Sequence, residues 1–385
     1  MIEIDKKINT AIATEDLDAL LVIGVDNFTY VSHLILPFAS NYPDRQAVVL
    51  HTKEGLGGIA CPIDWEEAVR DQGWNGELVA YDENKDLPPK ALIGTIKVLM
   101  ARLGLEKAKI GIDETRASKQ FIDNLKQIIS DVEWIPFDSV LRDLRLLKTP
   151  QEVKLIESAA YQSELGIITA LMHLEGTVAV PGYTINEFTE RVRVHVFEFG
   201  GTGVEHMATQ VGAAAQMFYT AQRGWIKEGD LARIDITNHL KGYWSNAGRM
   251  AVIGNPTHEQ SAAFENNLRI KSVALATLKS GTKCNEAFAE VKKKAYELGI
   301  PFFEEAGIGH GVGVSHREAP FLNSLDETVL RPGMVIALDV YTYGPEKELI
   351  HSKDIYKITE SSPTLLSWYK TWDKLYSVIG FRSTH

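Results

Sequence analysis

Two segments of this chain carry side chains that could bind an ion or move protons. The first contains Asp235 in an alternating run of apolar and polar residues. The second contains His310 in a predicted glycine-rich loop, residues 307–313, and then Asp339 after an apolar run. Carboxylates and imidazoles are the groups that proteins use as metal ligands and as general acids or bases. The turn-like stretch 238–242 follows Asp235, so a hairpin would bring Asp235 and Asn246 to the same face. These residues predict one polar centre.

The residues around these side chains form extended motifs. They are 233–237 (RIDIT), 242–249 (GYWSNAGR), 309–313 (GHGVG), 318–320 (EAP) and 333–339 (GMVIALD). These motifs resemble the catalytic half of the pita-bread family, which includes prolidase, aminopeptidase P, methionine aminopeptidase and creatinase. Residues 27–32 (NFTYVS) resemble the N-terminal domain motif of creatinase and prolidase. The resemblance covers nearly the whole chain.

In the metallopeptidases of that family, five side chains hold two metal ions. By resemblance, Asp235 and His310 occupy two of these positions, and Asp339 stands where the family has Glu. Asn246 stands where the family has an Asp that bridges the two ions, and Lys353 stands where it has a bridging Glu. The site is recognisable, but both of its bridging carboxylates are missing.

The residues at positions 246 and 353 predict that this centre holds no metal. The amide oxygen of Asn246 is neutral, and the ammonium of Lys353 repels a cation and has no lone pair to donate. Because paired divalent ions depend on carboxylate charge, we expect no stoichiometric metal and no cofactor. We expect the Lys353 ammonium to replace the lost cation, within ~2.7–3.2 Å of Asp235 or Asp339. The alternative is that Lys353 lies on an exposed strand and that the alignment is shifted by one residue.

Candidate proton carriers lie at or near two histidine positions of the family. In the peptidases one histidine lies seven residues after a glycine, and the same count from Gly212 gives Tyr219. In creatinase that histidine is the general base of a reaction that uses no metal. The other histidine lies seven residues after the metal-binding one, which here gives Arg317, next to His316. The alternative role for Tyr219 is packing. The predicted catalytic residues are His310, His316, Asp235, Asp339, Lys353 and Tyr219.

Substrate contacts are predicted from charge and aromatic character. Arg317 could hold a substrate carboxylate, since a guanidinium grips a carboxylate through two hydrogen bonds. Arg45 resembles the creatinase arginine that reaches a substrate carboxylate across the dimer, and Phe38 lies in the same loop. His206 is either a pocket residue or a structural loop histidine. The predicted substrate-binding residues are Arg317, Glu318, Asn246, His206, Arg45 and Phe38.

The composition narrows the class of partner. The chain has 385 residues, a formal net charge of -11 and two cysteines. The acidic balance argues against a nucleic-acid or anionic-membrane partner, because both would favour a basic face. No apolar run reaches the ~20 residues that span a bilayer, and no signal-peptide pattern is evident. We therefore expect a cytoplasmic protein without a disulfide scaffold, whose partner is a small-molecule substrate.

Secondary-structure signals alternate through the first 145 residues. Apolar runs at 19–23, 47–50 and 110–112 predict buried strands, and the spacing in 91–105 and 119–129 predicts helices. This pattern is typical of an α/β sheet with helices.

A helix-start signature marks the boundary between the domains. Thr149 can cap a helix, Pro150 suits its first position and Glu152 completes a capping box. The stretches 184–187 (TINE) and 257–260 (THEQ) repeat this capping pattern before two more helices. We therefore predict a creatinase-like N-terminal mixed-sheet domain over residues 1–147. A pita-bread domain with a curved antiparallel sheet and helices is predicted over 148–385, so the fold class is α/β.

The loss of both bridging carboxylates favours a metal-independent, creatinase-like function. We expect a hydrolase that cleaves a C–N bond of amidine, guanidino or amide type in a small polar substrate and that is not a peptidase. Asp235 and Asp339 would orient substrate or water, while His310 or His316 would carry protons. One alternative is an Xaa-Pro metallopeptidase with a degenerate metal site, and another is a catalytically inactive binding module. By resemblance we also expect a homodimer with the pocket near the subunit interface.

Overall fold

The polypeptide divides into an N-terminal unit, Met1–Arg145, and a C-terminal unit, Leu146–His385. The computed structural model describes residues 2–36, 46–177, 183–216, 224–368 and 372–379. Among these residues, no helix is both long enough and apolar enough to cross a lipid bilayer. Cys61 and Cys284 are buried free thiols.

The N-terminal unit contains a six-stranded mixed sheet with the strand order β4-β3-β2-β1-β5-β6. Its strands are β1 (Ala19–Ile23), β2 (Val48–Thr52), β3 (Gly55–Pro62), β4 (Glu77–Tyr81), β5 (Lys109–Ile112) and β6 (Glu133–Pro136). Its helices are α1 (Ile2–Thr14), α2 (Val25–Ser32), α3 (Glu66–Asp71), α4 (Lys90–Arg102), α5 (Lys119–Ile128) and α6 (Asp138–Leu146). Strand β1 is buried along its whole length and pairs antiparallel with β2 and parallel with β5. The predicted strands and helices of this unit are confirmed to within three residues at each end.

The C-terminal unit contains a ten-stranded sheet whose main path runs β12-β11-β13-β14-β10-β8-β7. All neighbours on this path pair antiparallel. Its strands are β7 (Gly203–Val211), β8 (Leu231–Leu240), β9 (Tyr243–Trp244), β10 (Ala247–Ile253), β11 (Gly309–Gly311), β12 (Glu318–Phe321), β13 (Val335–Tyr343), β14 (Leu349–Lys357), β15 (Thr364–Leu365) and β16 (Tyr376–Val378). Its helices are α7 (Pro150–Thr177), α8 (Ile185–Glu198), α9 (His258–Thr277) and α10 (Cys284–Glu297).

Three helices of this unit begin at the capping boxes that the sequence predicts. At the start of α7 the Thr149 amide donates to Glu152 Oε2 at 2.7 Å, and the Glu152 amide donates back to Thr149 Oγ1 at 3.3 Å. Reciprocal boxes also open α8 at Thr184 and α9 at Thr257. Each box satisfies amides that the first helical turn leaves without intrahelical partners.

The helices cover one face of this sheet. Helices α7 and α8 pack against Ile234 and Ile236 of β8, while α9 and α10 pack against Ile336 and Leu338 of β13. Side chains alternate between the two faces of a strand. The residues between these apolar positions therefore face away from the helices, and that face carries the candidate site.

Candidate active site

Four neighbouring strands bring the candidate residues into one row. Asp235 on β8 lies opposite Gly248 on β10, which lies opposite Lys353 on β14, which in turn lies opposite Asp339 on β13. Adjacent strands are about 4.8 Å apart, so the glycine leaves space through which the three charged side chains can meet. The predicted pairing register of Lys353 is confirmed.

The Lys353 ammonium lies between the two carboxylates. Its Nζ is 3.0 and 3.1 Å from the two carboxylate oxygens of Asp235 and 3.0 Å from Oδ2 of Asp339. A longer contact of 3.4 Å reaches Oδ1 of Asn246. Lys353 is 4% exposed, so the alternative of an exposed strand is wrong. The predicted geometry is confirmed, while a catalytic role for Lys353 stays a prediction.

Burial and ion pairing have opposite effects on the pKa values of Lys353 and Asp339. Burial lowers the pKa of Lys353, but the carboxylates of Asp235 and Asp339 outweigh it and hold that pKa above its ordinary value. Burial likewise raises the pKa of Asp339, but Lys353 and His351 hold it well below its usual range. Lys353 and Asp339 therefore remain charged around neutral pH. Two carboxylates and one ammonium give the centre a formal excess of one negative charge.

His351 and Tyr341 also belong to this centre, and neither was predicted from the sequence. His351 is fully buried, and its Nε2–H donates to Oδ1 of Asp339 at 2.6 Å. Its ring stacks on Tyr341, with ring centroids 4.1 Å apart and planes 6° from parallel. The Tyr341 hydroxyl donates to Oδ2 of Asp235 at 3.3 Å. Each carboxylate therefore accepts a hydrogen bond from one of these two side chains as well as from Lys353. Burial lowers the pKa of His351.

His310 lies on strand β11 rather than in the loop that the glycines predict. Gly309 has a φ of 148°, and a Cβ there would lie 2.4 Å from the carbonyl oxygen of Ala337 on β13. That glycine therefore permits close strand pairing. The His310 Nδ1–H donates to the Gly311 carbonyl at 3.0 Å, which leaves the lone pair on Nε2. Burial, reinforced by Lys353, lowers the pKa of His310 to about 4, so the ring is neutral at pH 7.

The segment after β11 is tied to the centre through Asn246. The Asn246 amide donates to the His316 carbonyl at 2.7 Å. The side chains of His316 and Arg317 are exposed, and the Arg317 guanidinium lies 5.6 Å above the Phe321 ring. Glu318 is buried and pairs with Lys148 at 2.8 Å, so its charge is already neutralised. The roles of Arg317, His316 and Glu318 stay predictions.

Four of the predicted catalytic and substrate-binding side chains are not among those that the structure describes. Tyr219, Arg45 and Phe38 lie outside the described residues. His206 belongs to β7, where its backbone lies opposite Thr237, but its side chain is not among those described. The roles of these four residues stay predictions.

Family models match both units of the chain. The model of metallopeptidase family M24 matches residues 156–360, and the model of the creatinase/prolidase N-terminal domain matches residues 6–147. The chain belongs to the M24 family. This assignment agrees with the sheet order and confirms the predicted α/β fold class.

Relatives of the M24 family are similar over most of the chain. An Xaa-Pro dipeptidase of Pyrococcus horikoshii is 25% identical over 365 residues, which cover 94% of this chain and 96% of that one. An Xaa-Pro dipeptidase of Pyrococcus furiosus is 27% identical over 261 residues, covering 67% and 73% of the two chains. The crystal structure of an X-Pro aminopeptidase from Thermotoga maritima superposes with a TM-score of 0.83 at 17% identity, covering 97% and 99%.

The M24 assignment corrects the predicted function. A metal-independent, creatinase-like hydrolase that is not a peptidase was favoured because the two bridging carboxylates are replaced. That prediction is wrong, because the family is one of metallopeptidases and the relatives are Xaa-Pro dipeptidases. Two substitutions change the charge of a centre, but the remainder of the chain carries the relationship to peptidases. Membership of this family places the chain among hydrolases of C–N bonds.

The residues present do not fit the metal pair of the M24 family. Within the described ranges, no group of three or more His, Cys, Asp or Glu side chains is arranged to hold a metal ion. An ion bound between Asp235 and Asp339 would meet the Lys353 ammonium, whose Nζ lies 3.0 Å from an oxygen of each carboxylate. At an effective dielectric constant of about 20, the repulsion of a divalent ion there is on the order of 10 kcal/mol. Asn246 adds no charge to offset it.

Gly248 gives a first test of how tightly this M24 centre is packed. A Cβ at Gly248 would lie 2.2 Å from Cε1 of His351 and 2.8 Å from Cβ of Lys353. The stacked His351 ring has little freedom to move away. We expect Gly248→Ala to lower the free energy of unfolding by about 1–3 kcal/mol. Urea unfolding monitored by tryptophan fluorescence measures this change.

Gly94 supplies the matched control for that substitution. It lies exposed inside α4, and a Cβ there meets nothing within 4 Å. Gly94→Ala should stabilise the chain by about 0.5–1 kcal/mol, because alanine restricts the unfolded chain and favours the helix. Equal effects of the two substitutions would contradict a tightly packed centre at Gly248.

Proposed function

We propose that this chain is a peptidase-type hydrolase that acts on the C–N bond of an Xaa-Pro dipeptide. The supporting observation is its similarity to an Xaa-Pro dipeptidase over 94% of its length. The proposed site is the centre that contains Asp235, His310 and Asp339. Because the metal pair does not fit, no step is assigned to a metal ion.

The charges of the centre suit a dipeptide, which carries an ammonium at one end and a carboxylate at the other. The excess negative charge beside Lys353 attracts the ammonium. Arg317, exposed on the segment tied to Asn246, is the proposed partner of the carboxylate. His310, neutral with its lone pair on Nε2, is the proposed proton acceptor.

The proposal predicts selective hydrolysis of Xaa-Pro dipeptides. We expect the purified full chain to cleave Ala-Pro at least about tenfold faster than Ala-Ala, because selectivity for one side chain over another is of this size. Asp339→Asn should lower kcat/KM by a factor on the order of 100, since it removes a charge from the centre. Release of free proline, measured with and without added Mn²⁺, is the readout.

Two controls make this assay specific. Asp123→Asn makes the same chemical change at an exposed position of helix α5, outside the C-terminal unit, and should leave the rate unchanged. Arg317→Met should raise KM for Ala-Pro but not for its C-terminal amide, which lacks the carboxylate. Absence of any proline release from Ala-Pro under all conditions would exclude hydrolysis of this substrate.

A second candidate function is dipeptide binding without hydrolysis. The Lys353 ammonium favours it, because it lies between Asp235 and Asp339, at positions that by resemblance hold metal ions in the peptidases. Calorimetric titration with Ala-Pro separates the two candidates, since a binding module gives heat of binding with no proline released.

Assembly and location are part of the same proposal. We propose a homodimer with the pocket near the subunit interface, and light scattering of the full chain tests it. We propose a cytoplasmic location, because buried free thiols at Cys61 and Cys284 suit a reducing compartment.

A further inference from the structure

The oxygen atoms around Lys353 form a cage of ammonium dimensions. Four oxygens from Asp235, Asp339 and Asn246 lie 3.0 to 3.4 Å from Nζ. Metal–oxygen bonds to small divalent ions are about 2.0–2.2 Å long. The oxygens are therefore spaced for N–H donors, and their lone pairs are already directed at a cation.

That cation is covalently fixed to the sheet. Lys353 projects from β14 opposite Asp339, and its Cβ faces Gly248. Its side chain is 5% exposed, which is less than the 11% of the Asp339 side chain. An incoming divalent ion would have to displace this almost fully buried ammonium.

The His351 pair adds a second barrier. Its Nε2–H occupies Oδ1 of Asp339, while Lys353 occupies Oδ2. Both oxygens of this carboxylate are thus engaged, as are both oxygens of Asp235, which accept from Lys353 and Tyr341. An ion would therefore replace several hydrogen bonds at once.

We propose that Lys353 excludes divalent ions from this centre by occupying their position, and that the residues at 246 and 353 together decide whether the centre binds them. The inference goes beyond the proposed function, because it concerns ion binding and does not depend on turnover. Replacing Lys353 by Glu and Asn246 by Asp removes one positive charge and adds two negative charges. The lone pair of His310 Nε2 then completes a set of five donors with Asp235 and Asp339.

The test is Mn²⁺ binding to the full chain after removal of ions with a chelator. The wild type should retain no stoichiometric Mn²⁺ after gel filtration and should show no change in Tm at about 1 mM Mn²⁺. Lys353→Glu/Asn246→Asp should bind about one or two ions per chain, at least about 100-fold more tightly. Its Tm should rise by about 5 °C or more with Mn²⁺.

Two further variants keep the test decisive. Lys353→Gln removes only the positive charge and retains hydrogen-bond donors, so it should bind Mn²⁺ more tightly than the wild type even if the double variant does not fold. Adding Asp235→Asn to the double variant should abolish binding, which locates the ions at this centre. Circular dichroism reports folding in each case.

Each result supports or overturns the inference. Stoichiometric Mn²⁺ on the wild type overturns it, and so does a failure of both Lys353 variants to bind when they are folded. These outcomes are separate from those of the dipeptide assay. A chain that binds no Mn²⁺ yet releases proline supports both proposals, whereas one that binds Mn²⁺ and releases proline overturns only the ion exclusion.

Discussion

Replacing Lys353 by methionine is expected to lower the free energy of unfolding by about 3–5 kcal/mol at pH 7. Methionine preserves most of the buried aliphatic stem and removes only the ammonium. Asp235 and Asp339, now each about 3 Å from that ammonium, would then face each other without a cation. Removing one partner of a buried pair is costly because the desolvated charge of the other remains.

The pH dependence of this loss has a defined sign. In the wild type the pKa of Asp339 is lowered, so its contribution to stability is present above about pH 4 and is lost as the pH falls through the folded-state pKa. In Lys353→Met the two carboxylates repel, and the pKa of at least one rises above its unfolded value. Protonation of that carboxylate at low pH removes the repulsion and stabilises the variant. This stabilisation is lost as the pH rises and the proton leaves. The difference in stability from the wild type should therefore widen from pH 4 to pH 8.

Urea unfolding at a series of pH values measures this effect, and Lys53→Met is the control. The Lys53 ammonium is also 2.8 Å from a carboxylate, that of Asp18, but its side chain is 55% exposed. Exposed pairs contribute little to stability, so this variant should unfold like the wild type at every pH. Lys353→Met/Asp235→Asn should recover part of the loss, because it removes one of the repelling charges. A Lys353→Met chain as stable as the wild type from pH 4 to pH 8 would disprove the role of Lys353 as internal cation.

Local signals were sufficient for the elements that position this centre. Capping boxes at Thr149, Thr184 and Thr257 place three helix starts, because each box is formed by residues within one turn. The alternation in β8 places Asp235 on the face opposite the helices, because side-chain direction in a strand follows sequence parity. Lys353 could be placed because the motifs around it resemble those of the family, and its observed pairing opposite Asp339 agrees with that alignment.

Contacts between neighbouring strands could not be predicted from short stretches of the sequence. The importance of His351 depends on the ring of Tyr341, which lies opposite it on β13, and neither residue stands out within its own segment. The parity of β14 could have found it, since His351 lies two residues before Lys353 and thus on the same face. Gly309 was assigned to a loop because glycine is common in turns, whereas here the neighbouring strand β13 requires it.

The substrate class was misjudged for a different physical reason. The charges at positions 246 and 353 bear on which cation the centre accepts. The creatinase-like prediction used these same charges to infer which reaction the protein catalyses. Membership of a family depends on residues throughout the chain. The similarity to an Xaa-Pro dipeptidase covers 94% of the chain, so it outweighs the charges at two positions.

Arg249→Met is expected to cost about 3–5 kcal/mol, because Arg249 joins two buried carboxylates on the helix side of the sheet. Its guanidinium pairs with Glu164 on α7 and, at 2.8 Å, with Asp354 on β14. It also donates to the Lys353 carbonyl at 2.6 Å, and it is 3% exposed. Burial lowers the pKa of Arg249, but the two carboxylates outweigh burial and hold that pKa above its ordinary value, so the charge is retained. Glu164 depends on this charge, while Asp354 also pairs with Lys271.

The matched control is Arg102→Met, since Arg102 pairs with Glu77 at 3.4 Å and both side chains are about half exposed. Urea unfolding should show little change for that variant. The m-value of Arg249→Met should stay near that of the wild type if only the native state is weakened. Adding Glu164→Gln should restore part of the stability, because a buried neutral amide costs less than an unpaired carboxylate. Because the Arg249 guanidinium also holds the Lys353 backbone, Arg249→Met should loosen the ammonium from Asp235 and Asp339. Equal losses for Arg249→Met and Arg102→Met would show that this network does not anchor α7 and β14 around the centre.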